Sequence, residues 1–519
     1  MKSTLFIVPF LITMLFFTDF IPSKKISPVK NKSYYINNNG SDSNDGSKMK
    51  PWRTIKKLNE AALDPGDTVQ FQGGQKYIGS ILIDPAKSGS SLYPIVVTSA
   101  GPVSACIYSK DSCGMTIYNT SYIRVSHLHF IGSGRKTGNI RNGVLLISGD
   151  HISLDHIELE GYQKAGLEIY CSKNVLAQHI YAHDNGAAGI SVSGNYENKT
   201  ATKNIILRYC RAENNPGDPT NLTNHSGNGI VAGHCTNLTI EYCTATNNGW
   251  DMPRIGNGPV GIWMYESDSV LIQHCISYRN KTSKGAADGG GFDIDGGVTN
   301  STIQYCLSYD NYGSGFGIFQ YYEAGPWYNN TIRYCISEDD GLVSDAHAGI
   351  HIWNAQGDSS RFHHCYFYNN TIYNSKGAAI SYSELNRNKD FFFYNNIFVG
   401  KDSLIRGKEL NGTYLGNDWW SLGRFSIEQK ETLKQWSLSK KKELLKGRVV
   451  GLQINPHFRL PGKTTLIHPD NLDAFTNYNL PCNSALRSRG IDLASQGIRK
   501  GKKEFNQHPV RANGIGACF

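Results

Sequence analysis

The chain of 519 residues lacks the short motifs that identify several large enzyme classes. It contains no P-loop, no dinucleotide-binding fingerprint and no serine nucleophile elbow with histidine and acidic partners. No cysteines have the CxxC spacing, and no cysteine–histidine spacing is typical of a zinc site. A function must therefore be sought in the arrangement of the whole chain.

The sequence also lacks a hydrophobic run long enough for a comfortable transmembrane helix. An apolar run from Leu5 to Phe17 follows Lys2, which is typical of a secretory signal. We predict a signal peptide over residues 1–23 and a secreted or periplasmic protein with no other membrane association. No small-x-small cleavage site is obvious, so an uncleaved anchor remains an alternative.

Charged residues are sparse, at 18% of the chain, and the formal net charge is +9. For an exported protein this charge favours an anionic glycan over nucleic acid as the partner. Part of the excess lies in residues 440–442 and 499–503, which can equally be solvated surface. We expect a monomer that binds an anionic polysaccharide and no nucleic acid.

A short phrase recurs nine times between Leu128 and Ile397, at intervals of 23 to 33 residues. This period, with a short strand-like phrase in each turn, predicts a solenoid. In the middle of the chain the phrase carries a cysteine: Cys210, Cys243, Cys275, Cys306, Cys335 and Cys365.

Twelve cysteines in an exported chain normally suggest a disulfide framework. The six periodic ones occupy an inward position on successive turns, so we interpret them as a ladder of free, buried thiols. Cys106 with Cys113, and Cys482 with Cys518, lie outside the ladder and are the better disulfide candidates.

A second strand in each turn begins with a small residue and then alternates apolar and varied positions. The apolar positions point into the core, so the second and fourth residues after the small one point outward on one sheet face. Turn by turn, the outward pairs are Glu168/Tyr170, Ser191/Ser193, Val231/Gly233, Trp263/Tyr265, Asp293/Asp295, Gly317/Phe319, His351/Trp353 and Ser381/Ser383.

The two ends of the chain resemble known sequences. The segments 34–36, 39–46 and 51–55 look like the opening of pectate-lyase-like proteins, and 483–486, 490–493 and 513–517 look like their closing phrases. The resemblance implies an all-β fold, a right-handed, single-stranded parallel β-helix of about ten or more coils, whose first coil a short helix caps. Residues 24–519 would form this one domain. Its parts would be an N-terminal cap and first coils (34–100), regular coils (122–400), a helical insertion (424–446), and C-terminal coils and cap (450–519).

Two carboxylates lie at the centre of the outward row. Asp293 and Asp295, two residues apart on a strand, have backbones separated by about 6.5 to 7 Å. Like charges this close push one pKa upward, which gives a protonated acid and an ionised base. We predict that this pair cleaves a glycosidic bond, with His351 assisting, and leave inversion or retention open.

Aromatic side chains flank the pair along the same face. Sugars stack on such platforms, so we predict that Trp263, Tyr265, Phe319 and Trp353, together with Glu168, bind the substrate. The alternative is that long loops, such as residues 248–260 or 321–330, fold over these rings and bury them.

Two further interpretations of these acidic residues stay open. Asp288, Asp293 and Asp295 could hold Ca²⁺, because hard cations take clustered carboxylates. The segment 287–292 looks somewhat like calcium-dependent pectate lyases of the ninth family, which implies β-elimination with a lysine base. Here Asp295 stands where that lysine is expected, and Gly313–Gly317 replaces the later acidic cluster. In the other interpretation, Asp293 and Asp295 have a structural role and bond backbone amides of a loop.

A second candidate cluster combines Asp345, His347 and His351, which could form an acid–base or transition-metal site. We favour solvated polar groups there. The sequence thus predicts a secreted glycoside hydrolase acting on a uronate-containing or sulfated polysaccharide, with no required cofactor. The alternatives are a Ca²⁺-assisted polysaccharide lyase and a non-catalytic, glycan-binding β-helix.

Overall fold

Parallel strands stacked coil upon coil form most of the protein. The computed structural model describes residues 31–343, 348–355, 357–383, 387–408 and 411–518. One sheet has twelve parallel strands in sequence order. They are β1 (Ile81–Ile83), β2 (Met115–Tyr118), β3 (Val144–Ile147), β4 (Ala165–Tyr170), β5 (Ala188–Ser193), β6 (Asn228–Gly233), β7 (Val260–Tyr265), β8 (Gly290–Ile294), β9 (Phe316–Gln320), β10 (Ile350–Asn354), β11 (Ile380–Tyr382) and β12 (Ile405–Arg406).

A second, 24-stranded sheet closes the solenoid. Its long early strands bend at His127, His156 and His179, whose φ angles of 54°, 51° and 50° lie in the left-handed region. Its strands are Ser33–Ile36, Thr68–Gln72, Lys76–Ile78, Ile95–Ala100, Ala105–Lys110, Ser121–Gly132, Asp150–Glu160, Lys173–His183, Lys203–Arg208, Arg211–Glu213, Thr236–Glu241, Thr244–Thr246, Asp268–Gln273, Ile276–Tyr278, Thr302–Gln304, Leu307–Tyr309, Trp327–Arg333, Ile336–Glu338, Phe362–Tyr368, Thr371–Tyr373, Lys389–Tyr394, Ile397–Gly400, Thr413–Leu415 and Asp418–Ser421.

The periodic cysteines form the predicted ladder of buried thiols. All twelve cysteines are free, and the six periodic ones are buried. The two proposed disulfides are therefore wrong. Cys106 Sγ faces His129 Nδ1 at 3.9 Å, whereas Cys113 Sγ contacts the carbonyl of Met115 at 3.4 Å. Each sulfur turns toward a neighbour other than its supposed partner.

A ladder of buried asparagines runs beside the cysteines. Asn248 Nδ2 donates to Asn280 Oδ1 at 2.9 Å, and Asn280 Nδ2 donates to Asn311 Oδ1 at 3.0 Å. The same amides reach the carbonyls of the preceding coil, as Asn280 does to Ala245 at 3.2 Å. The ladder satisfies turn carbonyls that water cannot reach.

Short helices and irregular segments cover the ends. The helix α1 (Ile55–Glu60) buries Ile55 and Leu58 at the first coils. The helix α2 (Leu433–Lys440) packs Trp436 against Trp419, with ring centroids 5.3 Å apart. A small hairpin joins Leu444–Leu445 and Arg448–Val449. The 3₁₀ helices are Lys199–Ala201, Ser359–Arg361, Pro469–Ala474, Ala485–Arg487 and Ala494–Gln496.

The C-terminal segment differs from the expected coils. Residues 450–518 contain 3₁₀ turns and isolated bridges rather than strands, and they pack back against the 24-stranded sheet. Glu338 anchors them by accepting hydrogen bonds from the Tyr478 hydroxyl at 2.6 Å and the Thr464 hydroxyl at 2.7 Å. In the described part of the chain, no helix is long and apolar enough to cross a membrane.

Candidate active site

One face of the twelve-stranded sheet carries a row of side chains that point away from the core. Phe292 and Ile294, on either side of Asp293, are fully buried, as strand alternation requires. The outward row is confirmed, because its members pair across β6 to β11: Val231, Trp263, Asp293, Gly317, His351 and Ser381. Loops at both edges of the sheet turn this row into the floor of a cleft of about 1400 Å³.

Asp293 lies on this floor in β8 and is 3% exposed. Its Oδ1 is shielded from solvent and has no hydrogen-bond partner among the described residues. Burial, followed by the charges of Asp295 and Asp288, raises the pKa of Asp293 well above its ordinary value. A Cβ at Gly317 would lie 3.0 Å from Asp293 Oδ1 and 2.9 Å from the Phe319 ring. Asp293 is thus held as a neutral acid in a space that Gly317 leaves open.

Asp295 follows at the end of β8 and is less buried than Asp293. Its Oδ1 accepts a hydrogen bond of 2.7 Å from the N–H of Gly296. Burial, with Asp288 and Glu266 as further causes, raises the pKa of Asp295 to about 7. The hydrogen bond and the greater exposure favour ionisation of Asp295 over Asp293, so the two carboxylates have unequal proton affinities.

Asp288 joins two loops at one edge of the cleft. Its Oδ2 accepts the N–H of Gly258 at 2.7 Å, which ties residues 249–259 to the turn before β8. Burial raises the pKa of Asp288 to about 6. This third carboxylate adds negative charge beside Asp293 and Asp295, and its role in the structure is to hold the cleft wall.

The calcium alternative requires Asp288, Asp293 and Asp295 to converge on one ion. In the described part of the chain, three potential ligand atoms lie within 4.8 Å of one another around Asp155 and around His183. Asp288, Asp293 and Asp295 do not form such a triplet. One oxygen each of Asp288 and Asp295 already accepts a backbone N–H. The three carboxylates as placed do not fit a calcium site.

Trp263 forms part of the wall one coil before Asp293. Its Nε1 donates to Asn228 Oδ1 at 3.0 Å, and its ring meets His225 edge-on at 4.9 Å between centroids. Burial, together with Arg254, lowers the pKa of His225 to about 4, so this imidazole is neutral. Trp263 is only 3% exposed. The expectation of an exposed platform at Trp263 is therefore wrong, because the loop that carries His225 covers the ring, and Phe319, at 8% exposed, is not an exposed platform either.

Glu266 organises the opposite wall, next to the half-buried Tyr265. Its Oε1 accepts the Tyr321 hydroxyl at 3.1 Å and the N–H of Gly325 at 2.7 Å. Its Oε2 pairs with Lys199 Nζ at 3.0 Å. These contacts hold the loop 321–325 beside the cleft floor, where Tyr321 and Tyr265 line the cavity.

The aromatic residues beyond Asp293 form a connected group. The Phe319 ring lies edge-on to His351 at 5.5 Å and to Trp353 at 6.2 Å between centroids. His351 Nδ1 is 2.7 Å from Ser381 Oγ. Two strand spacings, about 10 Å, separate the backbones of His351 and Asp293. His351 therefore belongs with the aromatic group rather than with the aspartate pair.

Charged side chains lie toward both ends of the cleft. Lys164 precedes β4 and pairs with Asp218 at 2.5 Å, while Arg406 belongs to β12. Glu168 in β4 accepts a hydrogen bond from the Ser193 hydroxyl, and burial raises its pKa. Eight strand spacings of about 4.8 Å between β4 and β12 give the cleft a length of about 38 Å.

The sequence did not indicate the residues that build the walls. His225, Asn228, Glu266 and Tyr321 stand in loops or at strand edges, where no repeat sets their register. The polar Asn228 at the start of a buried strand was the available signal. Asp345 and His347 lie outside the described residues, so their combination with His351 stays a prediction.

The fold and the site define a class of protein: a parallel β-helix with a long cleft that has carboxylates near its centre. The chain belongs to the Pel9A-like right-handed β-helix family, whose model matches residues 34–334. Comparison with curated proteins found no match. The predicted all-β, right-handed parallel β-helix is confirmed.

Solved structures of low sequence identity share this fold. A structure described as the complex of XylC with xylose has 11% identity and a TM-score of 0.50, covering 93% of this chain and 98% of that one. A GH136 lacto-N-biosidase from Eubacterium ramulus has 14% identity and a TM-score of 0.49, covering 73% and 67%. Pectate lyase Pel9A has 15% identity and a TM-score of 0.43, covering 94% and 97%. At these identities the likeness concerns the fold alone.

Proposed function

We propose that the protein hydrolyses a glycosidic bond of a polysaccharide bound in the cleft, with Asp293 and Asp295 as the acid–base pair. The observation that carries this proposal is the placement of two buried carboxylates with raised pKa values midway along a cleft lined by aromatic side chains. Paired carboxylates of unequal proton affinity are what glycosidic hydrolysis requires.

The surroundings of each aspartate suggest its role. Asp293 is the more buried, and its Oδ1 has no hydrogen-bond partner in the described structure, so it keeps its proton and donates it to the glycosidic oxygen. Asp295 accepts the N–H of Gly296 and ionises near neutral pH, so it deprotonates the attacking water. The proton passed from Asp293 leaves with the departing sugar, and Asp295 gains one from water.

The rest of the cleft supports a polymer as substrate. Tyr265 lies before the aspartate pair, and Phe319, His351 and Trp353 lie after it, so sugar rings would contact the cleft on both sides of the cleavage point. The length of about 38 Å is suited to several sugar units rather than to one. Tyr265 and Trp353 retain partial exposure and are the strongest stacking candidates.

The charge distribution supports an anionic polymer with its charges away from the cleavage point. When they are ionised, Asp288 and Asp295 would repel a uronate at the centre of the cleft. Arg406 lies about four strand spacings to one side, where sulfate or carboxylate groups would be attracted, whereas Lys164 at the other end pairs with Asp218. We propose secretion as well, on the signal-like sequence of residues 1–23.

β-Elimination has less support than hydrolysis. It needs a base such as lysine or arginine beside the cleaved bond, and the basic residues that line the described cleft are Lys164 and Arg406, near its ends. A purely glycan-binding role would leave the raised pKa values of the aspartates without a use.

A screen of uronate-rich and sulfated plant and algal polymers tests the reaction type. Each digestion is followed by reducing ends and by the ultraviolet absorbance of unsaturated uronates. We expect reducing ends without that absorbance. Absorbance that grows with the reducing ends would establish elimination, and binding of a polymer without any cleavage would establish the adhesive alternative.

A further inference from the structure

A second cluster of ligating side chains lies on the 24-stranded sheet, away from the cleft. It occupies three consecutive early coils, in the strands Ser121–Gly132, Asp150–Glu160 and Lys173–His183. His129 pairs in register with Glu158, and Glu160 pairs with His183 on the next strand. Side chains at these positions of stacked parallel strands are about 5 Å apart at the backbone, which brings their ends together.

The ends of three side chains converge on one point. His183 Nδ1 lies 2.7 Å from Asp184 Oδ2 and 4.0 Å from Glu160 Oε2. One ligand atom each from Glu160, His183 and Asp184 falls within 4.8 Å of the others. Glu158 Oε1 approaches the other side of the same imidazole, 3.2 Å from His183 Nε2.

A second imidazole extends the cluster. His129 Nε2 lies 3.1 Å from Glu160 Oε1 and 3.8 Å from Glu158 Oε1. This nitrogen is shielded from solvent, yet it makes no hydrogen bond of good geometry among the described residues. The opposite nitrogen, His129 Nδ1, faces Cys106 Sγ at 3.9 Å, which orients the ring. Through its 3.1 Å contact with Glu160, His129 supports the cluster from the neighbouring coil.

We propose that this cluster is a binding site for a divalent transition metal of the zinc class, with Glu160, His183 and Asp184 as ligands and His129 supporting Glu160. Imidazole nitrogens combined with carboxylate oxygens are the donors that Zn²⁺, Co²⁺ and Ni²⁺ accept. The bound ion would join two neighbouring coils near the N-terminal end of the solenoid and so stabilise the folded state. The site is separate from the cleft and does not depend on the function proposed for it.

A neighbouring cluster supplies an internal comparison. Asp155 Oδ1 lies between His156 Nδ1 at 2.8 Å and His179 Nδ1 at 2.9 Å. These two imidazoles are 52% and 40% exposed, against 12% for His183 and 18% for His129. Because the imidazoles of His183 and His129 are better shielded from water, we assign the metal to the cluster around His183.

Titration of the EDTA-treated full chain with Zn²⁺ and Co²⁺ tests the assignment. We expect one tight ion per chain by calorimetry, Co²⁺ absorption bands of a nitrogen–oxygen site, and a higher midpoint of thermal unfolding when Zn²⁺ is present. His183→Ala and His129→Ala should each weaken affinity by at least about tenfold, since even groups that only support ligands contribute that much.

Two control variants make the result specific. His151→Ala removes an imidazole that pairs with Asp150 on the same sheet at 2.8 Å, and His156→Ala disrupts the neighbouring cluster. Both should keep the tight ion. Retention of the ion in His183→Ala, or its equal loss in His156→Ala, would overturn the assignment, as would no binding by the wild type. If His183→Ala fails to fold, the same test is made with His183→Gln, which should lose the tight ion. The Zn²⁺-induced rise in the unfolding temperature of the wild type is a second test of the site.

Discussion

Asp295 and Asp293 are kept in an environment that opposes their charge. Since burial raises the pKa of Asp295 to about 7, the native state binds more protons than the unfolded chain between about pH 4 and pH 7. The contribution of protonated Asp295 to the stability of the folded state is present in full below about pH 4 and is lost as the pH rises through 7. The carboxylates therefore reduce stability at neutral and alkaline pH, a frequent property of active sites.

The first prediction concerns this pH dependence. At pH 8, Asp295→Asn should increase the free energy of unfolding by on the order of 1–3 kcal/mol, because the amide carries no charge to bury. Near pH 4, the difference from the wild type should vanish. Thermal or denaturant unfolding of both proteins at both pH values measures this difference in the free energy of unfolding. Equal stability of the two proteins at pH 8 would show that Asp295 is not desolvated in the native state.

A second prediction concerns the glycine on the cleft floor. Gly317→Ala should reduce kcat/KM by on the order of 100-fold, because the added methyl displaces Asp293 Oδ1 or the Phe319 ring. Gly377→Ala is the matched control, since a Cβ there meets its nearest atoms at 3.5 Å. Unchanged activity in Gly317→Ala, with both variants folded, would mean that the position of Asp293 is not critical.

At the scale of elements, the asparagine ladder joins the turns of successive coils by buried hydrogen bonds. Asn280→Ala should destabilise the protein by about 2–4 kcal/mol, because it removes the buried hydrogen bonds of Asn280 to the carbonyl of Ala245 and to the side chains of Asn248 and Asn311. The exposed Asn471→Ala is the control and should stay within about 0.5 kcal/mol of the wild type. Urea unfolding curves measure the free energy of unfolding of both variants. A similar loss of stability in Asn280→Ala and Asn471→Ala would contradict the proposed role of the ladder.

The loop 321–325 is held in part by Glu266, a side chain from two coils earlier. Glu266→Ala removes the acceptor for Tyr321 and Gly325, so we expect faster hydrogen exchange in this loop and a KM raised by roughly tenfold. Glu197→Ala, an exposed glutamate near the same edge of the sheet, should change neither quantity. An unaltered exchange rate in Glu266→Ala would show that other contacts hold the loop.

At the scale of the whole molecule, the sequence predicted what the repeat controls. A period of about 30 residues, with alternation along each strand, placed Asp293, Gly317 and His351 in one row, because a strand has only two faces. It also predicted the buried thiols. Both results follow from local periodicity, which the solenoid copies directly into space.

The repeat could not predict what the loops do. Burial of Trp263 comes from a contact with His225, and the wall at Tyr321 comes from Glu266, neither of which has a periodic position. The supposed disulfides failed for the same reason, because Cys106 and Cys113 face different neighbours along the solenoid. The path of residues 450–518 along the 24-stranded sheet likewise depends on tertiary contacts such as Glu338 with Tyr478.

The central claim is that Asp293 and Asp295 together hydrolyse a polysaccharide. The most direct test is the initial rate of reducing-end release from a cleaved polymer by the wild type, Asp293→Asn, Asp295→Asn and the remote Asn471→Ala. We predict losses of about 10²- to 10⁴-fold for each aspartate variant, with folding intact, and full activity in Asn471→Ala. Wild-type rates in either aspartate variant would contradict the claim.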